Sequence, residues 1–201
     1  CFMPHGLVRP FLFIVLFTLT LMKISAQNFA ADRVQPYQKN PRYWQYKGRP
    51  VLFLGASDED NPFQWPLEKL LEQLTSLVEA GGNQLRNTMS DRDPGNLRAF
   101  AEVKPGVYDL TQWNPAYWER FETMLRETNR RGILVQIEIW DRFDHSRDEW
   151  KSDPFNPGNN TTYTFAESGF DPEYPQHPSS NKQPFFYTVP TLDDNPVVPR
   201  I

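Results

Sequence analysis

The stretch from Gly132 to Asp141 constrains the fold more than any other part of the chain. Its residues alternate with the period of a β-strand: one side carries only Ile133, Val135, Ile137 and Ile139, and the other carries Leu134, Gln136, Glu138 and Trp140. We expect helices to cover the branched side, while the second side faces a narrow polar interior such as that of a barrel. Asp141 then lies at the carboxyl end of the strand, where parallel α/β folds place their chemistry.

Strand-like and helix-like segments alternate before this stretch. The continuous apolar run at 51–55 predicts a strand covered on both faces, and 83–90 predicts a second, short strand. Leucines and aromatic residues recur at helical spacing over 66–80 and 114–131, where prolines favour the helix starts and glycines the ends. The order strand, helix, strand, helix, strand predicts a parallel sheet with right-handed crossovers.

The segments on either side of this α/β core have different patterns. Aromatic and apolar residues around Lys47-Gly48-Arg49 predict a small β-hairpin near 40–50. From Arg142 to Ile201 both periods disappear, and proline, asparagine and aromatic residues dominate. We interpret 142–201 as a long loop insertion without secondary structure that covers an active site, because disordered segments, the alternative, are poor in aromatic residues.

Residues 1–26 have the pattern of a secretory signal peptide: a charged lead, the apolar run 11–22 and Ala26 before Gln27. A membrane anchor or a misread upstream frame is the alternative. We therefore expect a secreted or periplasmic domain over 27–201 with no stable membrane association after cleavage. The net charge of −4 argues against nucleic acid as a partner, and Cys1, the single cysteine, allows no internal disulfide.

Polar side chains cluster at the predicted carboxyl ends of the three strands. The clusters are Asp58, Glu59 and Asp60 after the first strand, Arg86 and Asn87 at the second, and Trp140, Asp141, Arg142 and Asp144 at the third. Carboxylates, an arginine and an indole suit a polyhydroxylated sugar ring, although loop acids often only cap helices or meet solvent. No glycine-rich phosphate loop and no metal-ligand spacing is present, so we predict neither cofactor nor metal.

The run Gly82-Asn-Gln-Leu-Arg-Asn87 resembles the second-strand signature of retaining (β/α)8 glycoside hydrolases of the cellulase-like superfamily. Residues 40–190 are similar to secreted members of that group. The resemblance implies that the chain is the amino-terminal part of a TIM barrel, with three βα units over 40–141 after the hairpin. It also implies that Arg86 orients an ionised carboxylate nucleophile and that Asn87, Trp140, Asp141, Asp58 and Trp65 bind sugar.

The two catalytic glutamates of that superfamily are not evident. Glu167 and Glu173 are the only candidates in the insertion, and neither follows an apolar strand. We therefore expect the acid/base and the nucleophile beyond Ile201, and we expect the 201 residues to be inactive alone.

The function predicted from the sequence is hydrolysis of glycosidic bonds in a poly- or oligosaccharide. One alternative is a barrel that holds glycan through Trp140, Trp65 and loop aromatic residues without cleaving it. Another is a metal-dependent barrel hydrolase with Asp58, Asp60 and Asp141 as ligands.

Overall fold

The computed structural model describes residues 33–57, 59–139 and 141–185. The predicted signal peptide, the end of the insertion from 186 to 201, Asp58 and Trp140 lie outside the described residues. The chain divides into two compact units, one up to Phe53 and one from Leu54 onward.

Residues 33–53, the described part of the first unit, contain a three-stranded antiparallel sheet. Its strands are β1 (Gln35–Pro36), β2 (Trp44–Tyr46) and β3 (Arg49–Val51), in the order β1-β2-β3. Lys47 and Gly48 form the turn between β2 and β3, both with positive φ, at 50° and 72°. This is the backbone that a two-residue hairpin turn requires, so the predicted hairpin is confirmed, with Arg49 already in the strand.

In the second unit, the described residues form four helices and four strands. In chain order these are α1 (Leu67–Glu79), β4 (Gln84–Thr88), β5 (Phe100–Lys104), β6 (Val107–Trp113), α2 (Pro115–Arg130), β7 (Leu134–Glu138), α3 (Arg147–Trp150) and α4 (Phe165–Ser168). Short 3-10 turns lie at Pro62–Gln64, Pro157–Asn159 and Pro178–Ser180.

Strands β4 and β7 pair in parallel, as the alternating pattern predicts, with Arg86 opposite Gln136 and Thr88 opposite Glu138. The predicted first strand is reduced to one parallel bridge between Gly55 and Gln84. The prediction that 51–55 is a strand covered on both faces is wrong, because Val51 belongs to the antiparallel ladder of β3 and Leu54 is 51% exposed. At Gly55 the backbones approach so closely that a Cβ would lie 1.7 Å from the Gln84 carbonyl oxygen.

Helices α1 and α2 bury their apolar faces with one side of this parallel pair. The core consists of Phe63, Leu70, Leu74, Leu77, Leu85, Tyr117, Met124 and Ile133. As predicted, Asn114 caps α2 by accepting a hydrogen bond from the Ala116 amide, and Gly132 ends the helix with φ 70°.

A second core joins the β5–β6 hairpin to the insertion. It consists of Phe100, Tyr108, Leu110, Trp150, Tyr163, Phe170 and Phe185. The hairpin is not among the predicted elements, and the described part of the insertion contains α3 and α4 where no secondary structure is expected. The aromatic residues of 142–185 therefore form a packed layer rather than an extended loop.

The three sheets of the described residues are small, and none closes into a barrel. Among these residues β7 pairs only with β4, so the other backbone edge of β7 has no neighbouring strand there. The side chain of Ile139, just beyond β7, is 71% exposed. The (β/α)8 fold stays a prediction. In the described chain, no helix combines the length and apolarity needed to cross a bilayer.

Candidate functional site

The parallel pair has a polar side opposite its helix-covered side. Leu85 packs in the helical core, so its strand neighbours Gln84 and Arg86 project the other way. On this side Gln84 donates to Gln136 at 3.3 Å, and the Thr88 hydroxyl donates to Glu138 Oε2 at 2.9 Å. The polar side predicted for β7 is therefore confirmed at Gln136 and Glu138. On the predicted apolar side Ile133 and Val135 pack in the helical core, whereas Ile137 and Ile139 are 44% and 71% exposed, so the helices cover only part of that side.

Arg86 and Glu138 form the strongest contact on the polar side. Arg86 Nε donates to Glu138 Oε1 and Nη2 lies near Oε2, both at 2.8 Å, so the pair is bidentate. The hydrogen bonds from Arg86 lower the pKa of Glu138, and Glu138 in turn raises the pKa of Arg86. Glu138 is thus held as a carboxylate.

Asp60 connects Arg86 to a second arginine, Arg92. Arg86 Nη1 donates to Asp60 Oδ1 at 3.2 Å, and Arg92 Nη2 donates to Asp60 Oδ2 at 2.8 Å. Arg92 Nη1 donates to Asp141 and, at 2.6 Å, to Asp144. Carboxylates and guanidinium groups therefore alternate along the strand ends, from Glu138 to Asp141.

These groups line an open cleft of about 400 Å³. Its walls are formed by Asp60, Arg86, Thr88, Glu138, Asp141, Arg142 and Phe143. All three predicted strand-end clusters contribute to it. Parallel strands bring their carboxyl ends to one edge of a sheet, and the cleft lies at that edge.

A more buried charged cluster lies next to the cleft. Asp91 pairs with Arg98, and burial raises the pKa of Asp91 to about 7 although Arg98 opposes the shift. Burial also raises the pKa of Asp144, against the hydrogen bond from Arg92. These carboxyl groups are therefore harder to ionise than Glu138.

His145 and Asp153 complete the buried cluster inside the insertion. His145 Nδ1 lies 2.6 Å from Asp153 Oδ2. Burial alone would lower the pKa of His145, but the Asp153 carboxylate together with Asp144 and Asp91 outweighs burial, and the pKa is raised above the usual value. A cavity of about 140 Å³ separates these polar groups from aromatic residues including Phe100 and Trp113.

Of the described residues predicted to bind sugar, Asp141 lines the cleft and Asn87 does not. Asn87 is 0% exposed, and its Oδ1 accepts from the Phe63 amide at 3.2 Å, so it holds the 3-10 turn before α1. Both oxygens of Asp141 are already hydrogen-bonded, Oδ2 to Arg92 and Oδ1 to the Phe143 amide at 2.9 Å.

Trp65 lies in a different depression, between the amino-terminal ends of α1 and α2. It is buried, and Lys69 Nζ lies 4.0 Å above its ring. The structure therefore does not bring Trp65 together with Arg86 and Asp141. Asp58 and Trp140, the other two predicted sugar ligands, lie outside the described residues.

Arg92 is not among the site residues predicted from the sequence, although it contacts three carboxylates, of Asp60, Asp141 and Asp144, and Arg86 contacts two. It lies in a loop between two aspartates and before Pro94-Gly95, a pattern that indicates only a turn. The only local signal for a role of Arg92 is its place between two aspartates shortly after a predicted strand.

Glu167 and Glu173 take no part in the cleft. Glu167 forms a capping box with Thr164 at the start of α4, and Glu173 is exposed in the following loop. The hydrogen bonds from Thr164 lower the pKa of Glu167. The structure therefore gives Glu167 a local capping role, and the position of the catalytic glutamates stays a prediction.

Comparison with known proteins assigns no family. No family model, no curated protein and no solved structure matches this chain.

Proposed function

We propose that this chain forms one wall of the sugar cleft of a secreted glycoside hydrolase of the (β/α)8 type. The observation that carries the proposal is the bidentate Arg86–Glu138 pair on the polar side of two parallel strands, at their carboxyl ends. Barrel enzymes place their active sites at this end of their strands.

The chemistry of the cleft suits a neutral, hydroxyl-rich substrate. Each oxygen of Asp60 and Asp141 accepts one hydrogen bond within the protein and has room for a second. Arg86 and Arg142 offer donors, and Phe143 adds apolar surface. Acceptors and donors that alternate over a few ångströms match the hydroxyl groups around a sugar ring. The opposite charges nearly cancel, so an ionic substrate gains little here.

Arg86 has the charge and the position to keep a neighbouring carboxylate ionised. A retaining glycosidase needs an ionised nucleophile, and a guanidinium nearby lowers the pKa of a carboxyl group. Glu138 already shows this effect. Because its proton is so weakly held, Glu138 is a poor general acid, and we propose that the acid/base and the nucleophile are glutamates on other strands of the barrel.

The contacts of Arg92 disfavour the metal-dependent alternative. Its guanidinium bonds both Asp60 and Asp141, two of the three carboxylates that such a site would use. A cation between them would displace this positive charge or be repelled by it. Within the described ranges, no three histidine, cysteine or acidic side chains are grouped to hold a metal ion.

The test is a hydrolysis screen of the full-length secreted protein. Wild type, Arg86→Ala and Arg86→Lys are incubated with cellulose, xylan, mannan and mixed-linkage glucan oligosaccharides, and released reducing ends are measured. We expect Arg86→Ala to lower kcat by about 100-fold or more, as loss of a transition-state electrostatic contact does. Arg131→Ala is the control, because Arg131 pairs with Glu127 at the opposite end of α2 from the cleft.

The other outcomes separate the alternatives. Glycan binding without release of reducing ends by wild type would favour the binding barrel. Activity that disappears with a chelator would favour the metal-dependent hydrolase. Unchanged activity of Arg86→Ala would contradict the assigned role of this arginine.

A further inference from the structure

Arg92 lies next to the cleft but does not line it. Asp60, Arg86 and Asp141 line the cleft, whereas Arg92 contacts Asp60 and Asp141 from within and is 21% exposed. We propose that Arg92 is a positioning residue, which fixes the carboxylates of Asp60 and Asp141 and, through Asp60, the guanidinium of Arg86. Its effect on activity rests on the proposed function, while its effect on Arg86 does not.

Asp60 transmits the constraint because its two oxygens serve different arginines. Oδ2 accepts from Arg92 at 2.8 Å, and Oδ1 accepts from Arg86 at 3.2 Å. Without Arg92, one oxygen loses its charged donor and the carboxylate is free to rotate about χ2. The contact with Arg86 would then be one arrangement among several, whereas it is now imposed from both sides.

Arg92 is itself held by a buried anchor, Asp144. The Asp144 side chain is 5% exposed, and its Oδ2 accepts from the Asp91 amide at 3.2 Å. Its Oδ1 accepts from Arg92 and from the Ser90 hydroxyl, at 2.6 and 3.1 Å. A chain of fixed contacts therefore runs from the backbone at Asp91, through Asp144 and Arg92, to the cleft.

The position calls for arginine and not merely for a positive charge. Nη1 bonds Asp141 and Asp144, and Nη2 bonds Asp60, so the two ends of one planar group connect the loops that follow different strands. Lysine would supply a single ammonium group without the fork. We therefore expect lysine to restore the charge but only part of the geometry.

The experiment compares Arg92→Gln, Arg92→Ala and Arg92→Lys with wild type and with Arg131→Ala. Arg131 is a matched control because its side chain is 26% exposed and it also makes an ion pair, with Glu127. Two quantities are measured on the full-length protein. One is kcat and KM on a hydrolysed oligosaccharide, and the other is the NMR hydrogen-exchange rate of the Arg86 Nη1 protons, one of which donates to Asp60.

We expect Arg92→Gln and Arg92→Ala to lower kcat by about 100-fold with KM changed by less than about threefold, since misplacement of about 1 Å has effects of this size. The kcat of Arg92→Lys should be about tenfold higher than that of Arg92→Ala. The exchange rate of the Arg86 Nη1 protons should rise by about tenfold in the first two variants and remain at the wild-type value in Arg131→Ala.

Unchanged Arg86 exchange in folded Arg92→Gln would overturn the proposal. If wild type cleaves no glycan, the proposed function fails, and the exchange rate alone decides the role of Arg92. If Arg92→Gln and Arg92→Ala fail to fold, Arg92→Lys decides: wild-type exchange and kcat in that variant would also overturn it.

Discussion

Arg86 on β4 and Glu138 on β7 are joined by two contacts of 2.8 Å across neighbouring parallel strands. Both side chains lie on the side of the sheet that faces away from α1 and α2. The Thr88 hydroxyl donates to the same glutamate at 2.9 Å. The pair therefore fixes the register of polar side chains at the strand ends as well as the charge in the cleft.

A double-mutant cycle on Arg86→Met and Glu138→Gln should give a coupling free energy of about 1 kcal/mol at pH 7. The bidentate geometry strengthens the pair, but the exposure of both side chains screens it, so the value stays near the upper end for surface pairs. Because the pKa of Glu138 is lowered, its stabilisation is complete above pH 4.5 and is lost as the pH falls through the folded-state pKa. Urea denaturation at pH 7 and pH 3 measures both effects.

The control cycle uses Lys151 and Asp148, an exposed ion pair in and just after α3. It should show no measurable coupling, because solvent and salt screen it fully. Equal coupling in the two cycles would contradict a special role of the Arg86–Glu138 geometry.

The free energy of unfolding should fall as the pH rises from 5 to 8. The folded protein retains a proton on Asp91 up to about pH 7, whereas the unfolded chain releases it near pH 3.8. The stabilisation that this bound proton gives to the folded state is therefore complete below pH 3.8 and is lost as the pH rises towards 7. His145 acts in the same direction, because its raised pKa holds a proton that the unfolded chain loses at pH 6.5. Denaturation with urea at several pH values measures the slope.

Asp91→Asn should flatten this slope although it removes the charge partner of Arg98. Asp148→Asn is the control: its pKa is lowered by Lys151, so it titrates below this pH range. A slope in Asp91→Asn as steep as in wild type would show that other groups cause the pH dependence.

The main α/β elements could be predicted from the sequence because their patterns are local. The alternation in β7, the leucine spacing of α1 and the Asn114-Pro115 start of α2 each depend on neighbouring residues only. The β5–β6 hairpin carries a weaker local signal, Pro105-Gly106, at its turn, where Gly106 has φ 73°. A proline-glycine pair between two strand-like segments is typical of such a turn.

The candidate site was predicted less well, for two physical reasons. Arg92 bonds residues 32, 49 and 52 positions away in sequence, and no local pattern shows such contacts. Asn87 was placed beside Arg86 in the sugar site, yet adjacent residues of a strand point to opposite sides. Once Arg86 faces the cleft, Asn87 must face the helices.

Leu74→Ala should lower the free energy of unfolding by about 3 kcal/mol, because Leu74 is fully buried in the helical core and its truncation leaves a cavity. Leu67→Ala on the same helix should change it by less than about 1 kcal/mol, since Leu67 remains 51% exposed. Chemical denaturation of both variants measures the difference. Equal losses would contradict the orientation of α1.

Asn160→Ala should destabilise the insertion by about 2–3 kcal/mol. Its Nδ2 donates to the carbonyls of Pro154 and Asn156, and its Oδ1 accepts from the amides of Thr162 and Tyr163. Loss of these bonds leaves buried backbone groups without partners. Asn129→Ala, at an exposed position near the end of α2, is the control for the same denaturation measurement and should change stability little.

The most direct measurement of the central claim is an NMR titration of the full-length protein with cellohexaose, xylohexaose and mannohexaose. The arginine Nε–H signals report on the cleft without requiring catalysis. Binding of at least one oligosaccharide should shift the Arg86 signal and leave that of Arg131 in place. Saturable binding that leaves Arg86 unshifted, or no binding of any of the three, would contradict a sugar cleft at these strand ends.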